Sequence, residues 1–357
     1  MGNNNILFWT VGGGAKMLKV WYGINTKNDK AGGNAMKEFR FVILGAAGIA
    51  DKFCKAAAEV GGCTVAAVAS KSEARAKAFA ARNGLPAYYD SYEKMLETEK
   101  PDAAYIAVTT NDHFRLTMLC LSHQIPVLCE KAMFRGTAEA GTAFAKAAER
   151  KTFAMEAMWS RFLPAVNTAR QWLAEGKIGQ PELARFGIGF VAEENPHNRF
   201  YDPALGGGAA FDLTVYGYEL MTYLIDQPVH AVTADAWWGP TGVDLSDHIG
   251  LRFAHTQADL MTSLVAPVEE RLVVCGKRGR LVLPRPHYAD ECFLYGTDGT
   301  ELEHYKDTAG RNGFAYEIEE VMRCVRGGLL ESPVVPHALT LSCAAMFDRL
   351  SATKPRA

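Results

Sequence analysis

Phe39-Arg40-Phe41-Val42-Ile43-Leu44-Gly45-Ala46-Ala47-Gly48-Ile49-Ala50 is the stretch on which the fold turns. A short β-rich run ends at a glycine, and a helical run opens directly after it. Residues that are apolar in succession, rather than alternately, suit a strand covered on both faces, which means parallel strands with helices between them. The pattern recurs downstream. Residues 64–69, 103–108 and 126–129 are short apolar runs bounded by turn residues, while 49–60, 72–83, 91–97 and 112–123 carry helical composition. Ser72, Ser91 and Asp112 are the expected N-caps. Repeated βα units of this length predict an α/β fold with an N-terminal Rossmann domain, a doubly wound parallel sheet.

After Lys151 the character changes. Residues 153–158 read as one more strand and 164–175 as a helix, and then longer runs at 184–191, 230–238, 248–253, 258–265, 270–275 and 280–283 alternate or pair across turns such as Gly276-Lys277-Arg278-Gly279. They predict a C-terminal α+β domain with a large, mostly antiparallel open sheet. Helices at 211–224 and 314–326 are expected on one face of it, leaving the other for a second subunit. The expected divisions are a dinucleotide-binding domain over 37–157, a substrate-binding and dimerisation domain over 158–350, and a tail over 351–357. Residues 1–36, rich in Gly and Asn, read as an extension outside the fold, and Met36, just before the first strand, reads as the natural start.

With 357 residues, 48% of them hydrophobic, the chain has material for two domains. Its 38 basic and 40 acidic residues give a net charge of -2 without long like-charge blocks, so nucleic acid and anionic membranes are not its expected partners; small molecules are. The eight cysteines hold no C-x-x-C pair and lack zinc-module spacing, so no metal site is expected and most read as buried thiols. No apolar run approaches the roughly 18 residues of a membrane span. Residues 6–11 lack a basic flank, and Ile6 stands where a myristoylation signal needs Ser or Thr, so a cytoplasmic location is expected.

Three places along this frame carry chemistry. Gly45, Ala47, Gly48 and Ile49 form a strand-to-helix turn of the dinucleotide type, with helix N–H groups for a pyrophosphate; a plain turn without ligand is the rival reading. Ala47 departs from the G-x-G-x-x-G/A pattern, and Gly48 beside it offers the close backbone approach. The second strand ends in Ala69-Ser70-Lys71-Ser72, with no acid for ribose hydroxyls, whereas Lys71 and Arg75 suit a 2'-phosphate. NADP is therefore expected over NAD, with two solvated surface charges as the alternative. Thr109, Asn111 and His113 follow the next strand as candidate cofactor contacts, although a helix cap explains Asn111 or Asp112 equally well.

Glu130-Lys131 ends the fourth strand at the same edge. Lys131 there can stabilise a substrate alkoxide while hydride moves, and Glu130 can orient it or meet ribose; a structural ion pair is the bland alternative. In Gly206-Gly207-Gly208-Ala209-Ala210-Phe211-Asp212-Leu213-Thr214-Val215-Tyr216, Asp212 and Tyr216 lie four apart on one helical face. A tyrosine beside a lysine is a candidate acid/base group, since a cation favours the phenolate. Taken alone, a buried tyrosine and an aspartate at a helix start are more often structural.

Together these motifs resemble the Gfo/Idh/MocA oxidoreductase family, and within it the dimeric dihydrodiol dehydrogenases and NADP-dependent xylose dehydrogenases. Residues 45–50, 127–131, Met155-Glu156-Ala157-Met158-Trp159-Ser160-Arg161-Phe162-Leu163-Pro164, 206–216 and Glu331-Ser332-Pro333-Val334-Val335-Pro336 carry the likeness. It implies an NADP-dependent oxidoreductase acting on a hydroxyl or carbonyl carbon of a small polyol, aldose or trans-dihydrodiol. Lys131, Asp212 and Tyr216 are implied to be catalytic, Trp159, Arg161 and Phe162 to border the substrate, and the C-terminal sheet to build a homodimer or homotetramer. His197, Arg199 and Tyr201 are further candidates for the pocket wall. Two departures stand out: Ala132 replaces the family proline after the lysine, so neither a cis bond nor a rigid turn is implied there, since those are proline properties, and Thr214 replaces a frequent glycine, which suits a helix and is expected to narrow the pocket. A non-catalytic NAD(P)-sensing protein and an NAD-dependent glycosidase of the same family are the alternatives.

Overall fold

The computed structural model describes residues 37–355. The expected extension over 1–36, with Met36, and the last two residues of the expected tail lie outside them. Strand and helix alternate first as β1 (Phe39–Leu44), α1 (Gly48–Glu59), β2 (Cys63–Ala69), α2 (Glu73–Asn83), β3 (Ala87–Tyr89), α3 (Tyr92–Glu99), β4 (Ala103–Ile106), α4 (Thr110–Ser122), β5 (Val127–Glu130), α5 (Thr137–Arg150) and β6 (Ala154–Ala157). These strands form one parallel sheet in the order β3-β2-β1-β4-β5-β6. The order reverses between β1 and β4, so their carboxyl ends open the crevice where such sheets receive a ligand. Phe41, Val42, Ile43 and Leu44 are all fully buried, as strands covered on both faces require.

Ser72 and Ser91 cap α2 and α3, accepting from the N–H groups of Arg75 and Lys94. Asp112 does not cap α4. That helix starts at Thr110 after Thr109, and the Asp112 carboxylate, one turn inside, meets Lys71 and Arg115 instead. β3 and the alanine-rich α5 are elements that the sequence patterns do not single out.

The chain continues through a 3-10 turn (Trp159–Phe162), α6 (Pro164–Ala174), β7 (Pro181–Val191), a π-helical turn (Ala210–Thr214), α7 (Val215–Ile225), β8 (Val229–Trp238), β9 (Asp244–Phe253), β10 (Gln257–Ser263), β11 (Val265–Gly276), β12 (Gly279–Pro284), β13 (Glu291–Gly296), β14 (Glu301–Lys306), α8 (Gly313–Arg326) and α9 (His337–Ser351). Eight strands order as β14-β13-β12-β11-β7-β10-β9-β8, every neighbour antiparallel except β7 with β10. α6 covers β12 to β14, and α7 covers β7 and β10.

α8 was expected on this sheet but packs chiefly on α1 and the 3-10 turn. Gly313 is the reason: a Cβ there would sit 2.4 Å from the Trp159 ring, so the helix closes tightly onto that turn. α9 lies against α5 and β8. These last helices return the chain to the first sheet, and residues from Glu38 onward make one compact unit. The uncovered sheet face exposes Leu183, Val191, Trp237, Met261 and Val265. Among the described residues no helix is long and apolar enough to cross a membrane.

Candidate active site

Gly45 leaves β1 with φ of 113°, and a Cβ there would lie 2.1 Å from the Ala107 carbonyl oxygen, so the turn admits only glycine. Gly48 opens α1 with free space where a Cβ would stand, and Ala47 before it offers no side-chain cap. The first N–H groups of α1 therefore face a cradle cleared of side chains, which fits a pyrophosphate. Ile49 is half-buried and Ala50 fully buried behind them.

At the end of β2, Ser70 is buried and its hydroxyl accepts from the Ser72 N–H. Lys71, 61% exposed, pairs with Asp112 at 2.7 Å. Partial burial pulls the Asp112 carboxyl up, but hydrogen bonds from Lys71 and Arg115 outweigh it and hold it below the usual carboxylate range. Arg75 is exposed, and its side chain has no partner among the described residues.

Thr109 is exposed at the end of the β4 turn, but its two neighbours face the scaffold. Asn111 donates to the Pro203 carbonyl at 2.9 Å and accepts from Arg135 at 3.2 Å. His113 is 1% exposed, its ring nitrogens 2.8 Å from the Ala132 carbonyl and 3.1 Å from that of Val108. It braces the segments after β4 and β5, so its ring nitrogens are not open to a cofactor.

Lys131 follows β5. Its Nζ donates to the Asp212 carbonyl at 2.7 Å and to Asp212 Oδ1 at 3.1 Å, and lies 4.7 Å from the Tyr216 ring centre. The Lys131–Ala132 peptide is cis. Glu130 accepts from the Tyr105 hydroxyl at 2.5 Å and from the Lys131 N–H at 3.2 Å. Burial raises its pKa against the pull of Tyr105 and Lys131. Behind it Glu317 is fully buried, neither carboxyl oxygen hydrogen-bonded among the described residues, and burial with the Glu130 charge pushes it well above the carboxylate range.

The glycine run is a squeezed backbone turn. Gly206 and Gly208 take φ of 76° and 118°, and a Cβ at Gly208 would overlap the Asp244 carboxylate. Asp244 accepts from the Ala210 N–H at 2.6 Å, and Asp247 accepts from the Thr214 hydroxyl at 2.6 Å, which tie the π-helical turn to β9. Thr214 thus spends its hydroxyl on the sheet and is fully buried there, so the narrowing expected of it does not arise from that group. The turn aims Asp212 at Lys131 and at Arg199 Nη1, 3.2 Å away. Burial alone would raise the Asp212 pKa; the two cations bring it below the usual range.

Tyr216 reverses an expectation. Burial, then the charge of Glu130, push its pKa well above 10, while the Lys131 ammonium beside its ring is paired with Asp212. At rest Tyr216 is a proton donor rather than a stabilised phenolate. Its hydroxyl accepts from Trp159 Nε1 at 3.4 Å, and the Trp159 ring sits 4.7 Å from Tyr288 and 5.3 Å from Phe314.

Arg161 is corrected. It is fully buried, ion-paired to Glu219 at 2.6 Å and donating to the Val334 carbonyl at 3.0 Å, so it anchors the core instead of bordering a substrate. Phe162, 7% exposed, joins that core. Tyr201 is buried with its hydroxyl on the Ala192 carbonyl, while His197 is exposed. The sequence reading missed His287 and Tyr288: the His287 ring packs tilted 5.1 Å from that of Tyr216 and edge-on 4.1 Å from that of Tyr288. The available signal was Pro284-Arg285-Pro286-His287-Tyr288, a proline-bounded loop carrying ring side chains that no strand alternation explains.

Residues 39–157 match the oxidoreductase family with an NAD-binding Rossmann fold, and residues 166–282 match the Gfo/Idh/MocA C-terminal domain. The chain belongs to the Gfo/Idh/MocA oxidoreductase family. It is 31% identical over 279 residues to trans-1,2-dihydrobenzene-1,2-diol dehydrogenase of Homo sapiens, covering 76% of this chain and 83% of that one. The Xenopus tropicalis protein of the same name is 28% identical over 291 residues, covering 80% and 88%. In fold the chain is similar to aldose-aldose oxidoreductase from Caulobacter crescentus (TM-score 0.79, 19% identity, covering 89% and 97%) and to levoglucosan dehydrogenase (TM-score 0.78, 17% identity, covering 88% and 96%). As a Gfo/Idh/MocA member it is a nicotinamide-dependent oxidoreductase.

Proposed function

We propose that this Gfo/Idh/MocA protein is an NADP-dependent dehydrogenase acting on the hydroxyl or carbonyl carbon of a small polyol, aldose or trans-dihydrodiol. The observation that carries the reading is the convergence of Lys131, Asp212 and Tyr216 at the carboxyl edge of the parallel sheet. The nicotinamide, when bound, supplies or takes the hydride. Tyr216, protonated at rest, gives its proton to a carbonyl oxygen in reduction and recovers one in oxidation. An ammonium has three N–H donors, and Asp212 takes two of those on Lys131, which leaves one for the oxyanion that forms on the substrate. Asp212 holds the lysine in place for that contact. The rings of Trp159 and Tyr288 give the substrate an apolar wall.

Lys71 and Arg75 support NADP over NAD, since β2 ends without an acid and Lys71 can exchange Asp112 for a phosphate. The apolar residues on the open sheet face, Trp237 and Met261 among them, support a homodimer or homotetramer built there. The unpaired cysteines support a cytoplasmic location.

The test is nicotinamide absorbance on the purified protein with NADP or NAD and a panel of aldoses, polyols, inositols and trans-dihydrodiols. Reduction of NADP in preference to NAD by one class is the expected outcome. Tight NADP binding with no reduction by any of them would replace the enzyme with a sensor.

A further inference from the structure

Tyr216 must accept a proton in the oxidative direction, yet its only hydrogen-bond partner among the described residues, Trp159 Nε1, is itself a donor. The phenol proton has nowhere to go within that pair. Burial beside the Glu130 charge makes a free phenolate costly, so loss of the proton calls for a base close by.

His287 is the base packed on that ring. It sits in the short turn Pro286–Tyr288 after β12, its ring centre 5.1 Å from that of Tyr216. On its other side Nδ1 hydrogen-bonds Glu270 Oε1 of β11. The Arg285 N–H donates to the Glu270 carbonyl at 3.1 Å, which pins the turn to that strand. A carboxylate on Nδ1 fixes the tautomer with the proton there and leaves Nε2 as the basic nitrogen. Nε2 has no hydrogen-bond partner among the described residues. The side chains of His287 and Glu270 are 14% and 24% exposed, so the pair touches the site and the solvent together.

We propose that Glu270 and His287 are the proton exit of the active site. As the substrate O–H gives its proton to Tyr216, the phenol proton passes through one bridging water to His287 Nε2, and then to solvent. The substrate loses one hydride and one proton; the nicotinamide gains the hydride and the solvent the proton. Glu270, paired at Nδ1, balances the charge that His287 takes up. Reduction runs the same path inward. The inference rests on the dehydrogenase reading and adds two residues to it, His287 as the relay and Glu270 as its positioning group.

The test compares His287→Ala, His287→Gln, Glu270→Gln, Tyr216→Phe and the double variant Tyr216→Phe/His287→Ala in the full chain, on the substrate class that the wild type oxidises. Loss of a positioned base lowers oxidative kcat by about 100-fold in His287→Ala, and Glu270→Gln loses about tenfold. NADP affinity, read by fluorescence titration, stays within about twofold because neither residue lies at the Gly45 turn. Added imidazole restores His287→Ala by about tenfold or more, a rescue that a structural role would not give. The double variant is no slower than Tyr216→Phe, since both act on one proton path. Should His287→Ala or His287→Gln keep kcat within about threefold of wild type, or imidazole fail to rescue a folded His287→Ala, the relay is wrong while the dehydrogenase stands. A wild type that binds NADP and oxidises nothing overturns the dehydrogenase reading and the relay with it.

Discussion

Lys131 Nζ grips Asp212 twice, at its backbone carbonyl and at its carboxylate, 2.7 and 3.1 Å away. The lysine stands at the edge of the parallel sheet and the aspartate in the π-helical turn behind the antiparallel one, so a single side chain joins the two halves across the cleft. The carbonyl contact is independent of ionisation, and the carboxylate contact neutralises the ammonium without burying it completely.

Replacing Lys131 with Met removes both contacts and the remaining donor for a substrate oxyanion. Loss of one such donor costs about 100- to 1,000-fold in kcat, and that is the expected fall. The Asp212 carboxyl should also titrate higher, because Lys131 is the leading cation that lowers it and only the exposed Arg199 remains. Steady-state kinetics check the first outcome; a kcat within tenfold of wild type would move the oxyanion role elsewhere.

Tyr216→Phe removes one hydroxyl whose only partner among the described residues is a 3.4 Å bond from Trp159, so little stability is at stake. Its proton transfer is worth about 100- to 10,000-fold in kcat. The variant should melt within a few degrees of the wild type while losing that much rate, and a variant with near-normal rate would remove Tyr216 from the chemistry.

Lys71→Ala separates the two nicotinamide cofactors. The lysine is exposed and its partner Asp112 keeps Arg115, so the fold should be indifferent. The KM for NADP should rise about tenfold or more while that for NAD stays within about twofold, since only the cofactor with the 2'-phosphate loses a cation. Parallel changes for both cofactors would leave Lys71 a surface charge.

Much of this architecture was legible because it depends on local pattern. The doubly apolar strands at Phe41–Leu44 could not be half-exposed, and Gly45 could only be a turn. The convergence of Lys131, Asp212 and Tyr216 was readable from motif resemblance, not from spacing: 81 positions separate the first two. What stayed hidden depends on tertiary neighbours. Arg161 looks like a pocket cation in sequence, but Glu219, 58 positions on, draws it into the core. His113 looks like a cofactor contact until two backbone carbonyls close on it. His287 reaches Tyr216 only because β11 and β12 carry its loop back over α7; the proline-bounded run at 284–288 marks a loop with ring side chains but not the neighbour that it meets.

The pH dependence of stability should carry a mark of Glu156. This residue of β6 is 2% exposed, accepts from the Met133 N–H and the Thr340 hydroxyl, both at 2.9 Å, and is pushed up to about 7 by burial and by the charge of Glu219. Its ordinary value is 4.5. Below that pH both folded and unfolded chains hold the proton; between the two values only the folded chain does. Stability from this group is therefore full in acid, falls as pH rises through that window and is gone above about 7. In Glu156→Gln the amide oxygen can keep the Met133 contact, and the amide nitrogen can donate to Thr340, with nothing to titrate. The wild-type melting temperature should fall relative to the variant between pH 5 and 8 by a few degrees, reflecting on the order of 3 kcal/mol or less. Melting curves that stay parallel across that range would mean that Glu156 is ionised in the folded protein, with its charge carried by the two hydrogen bonds.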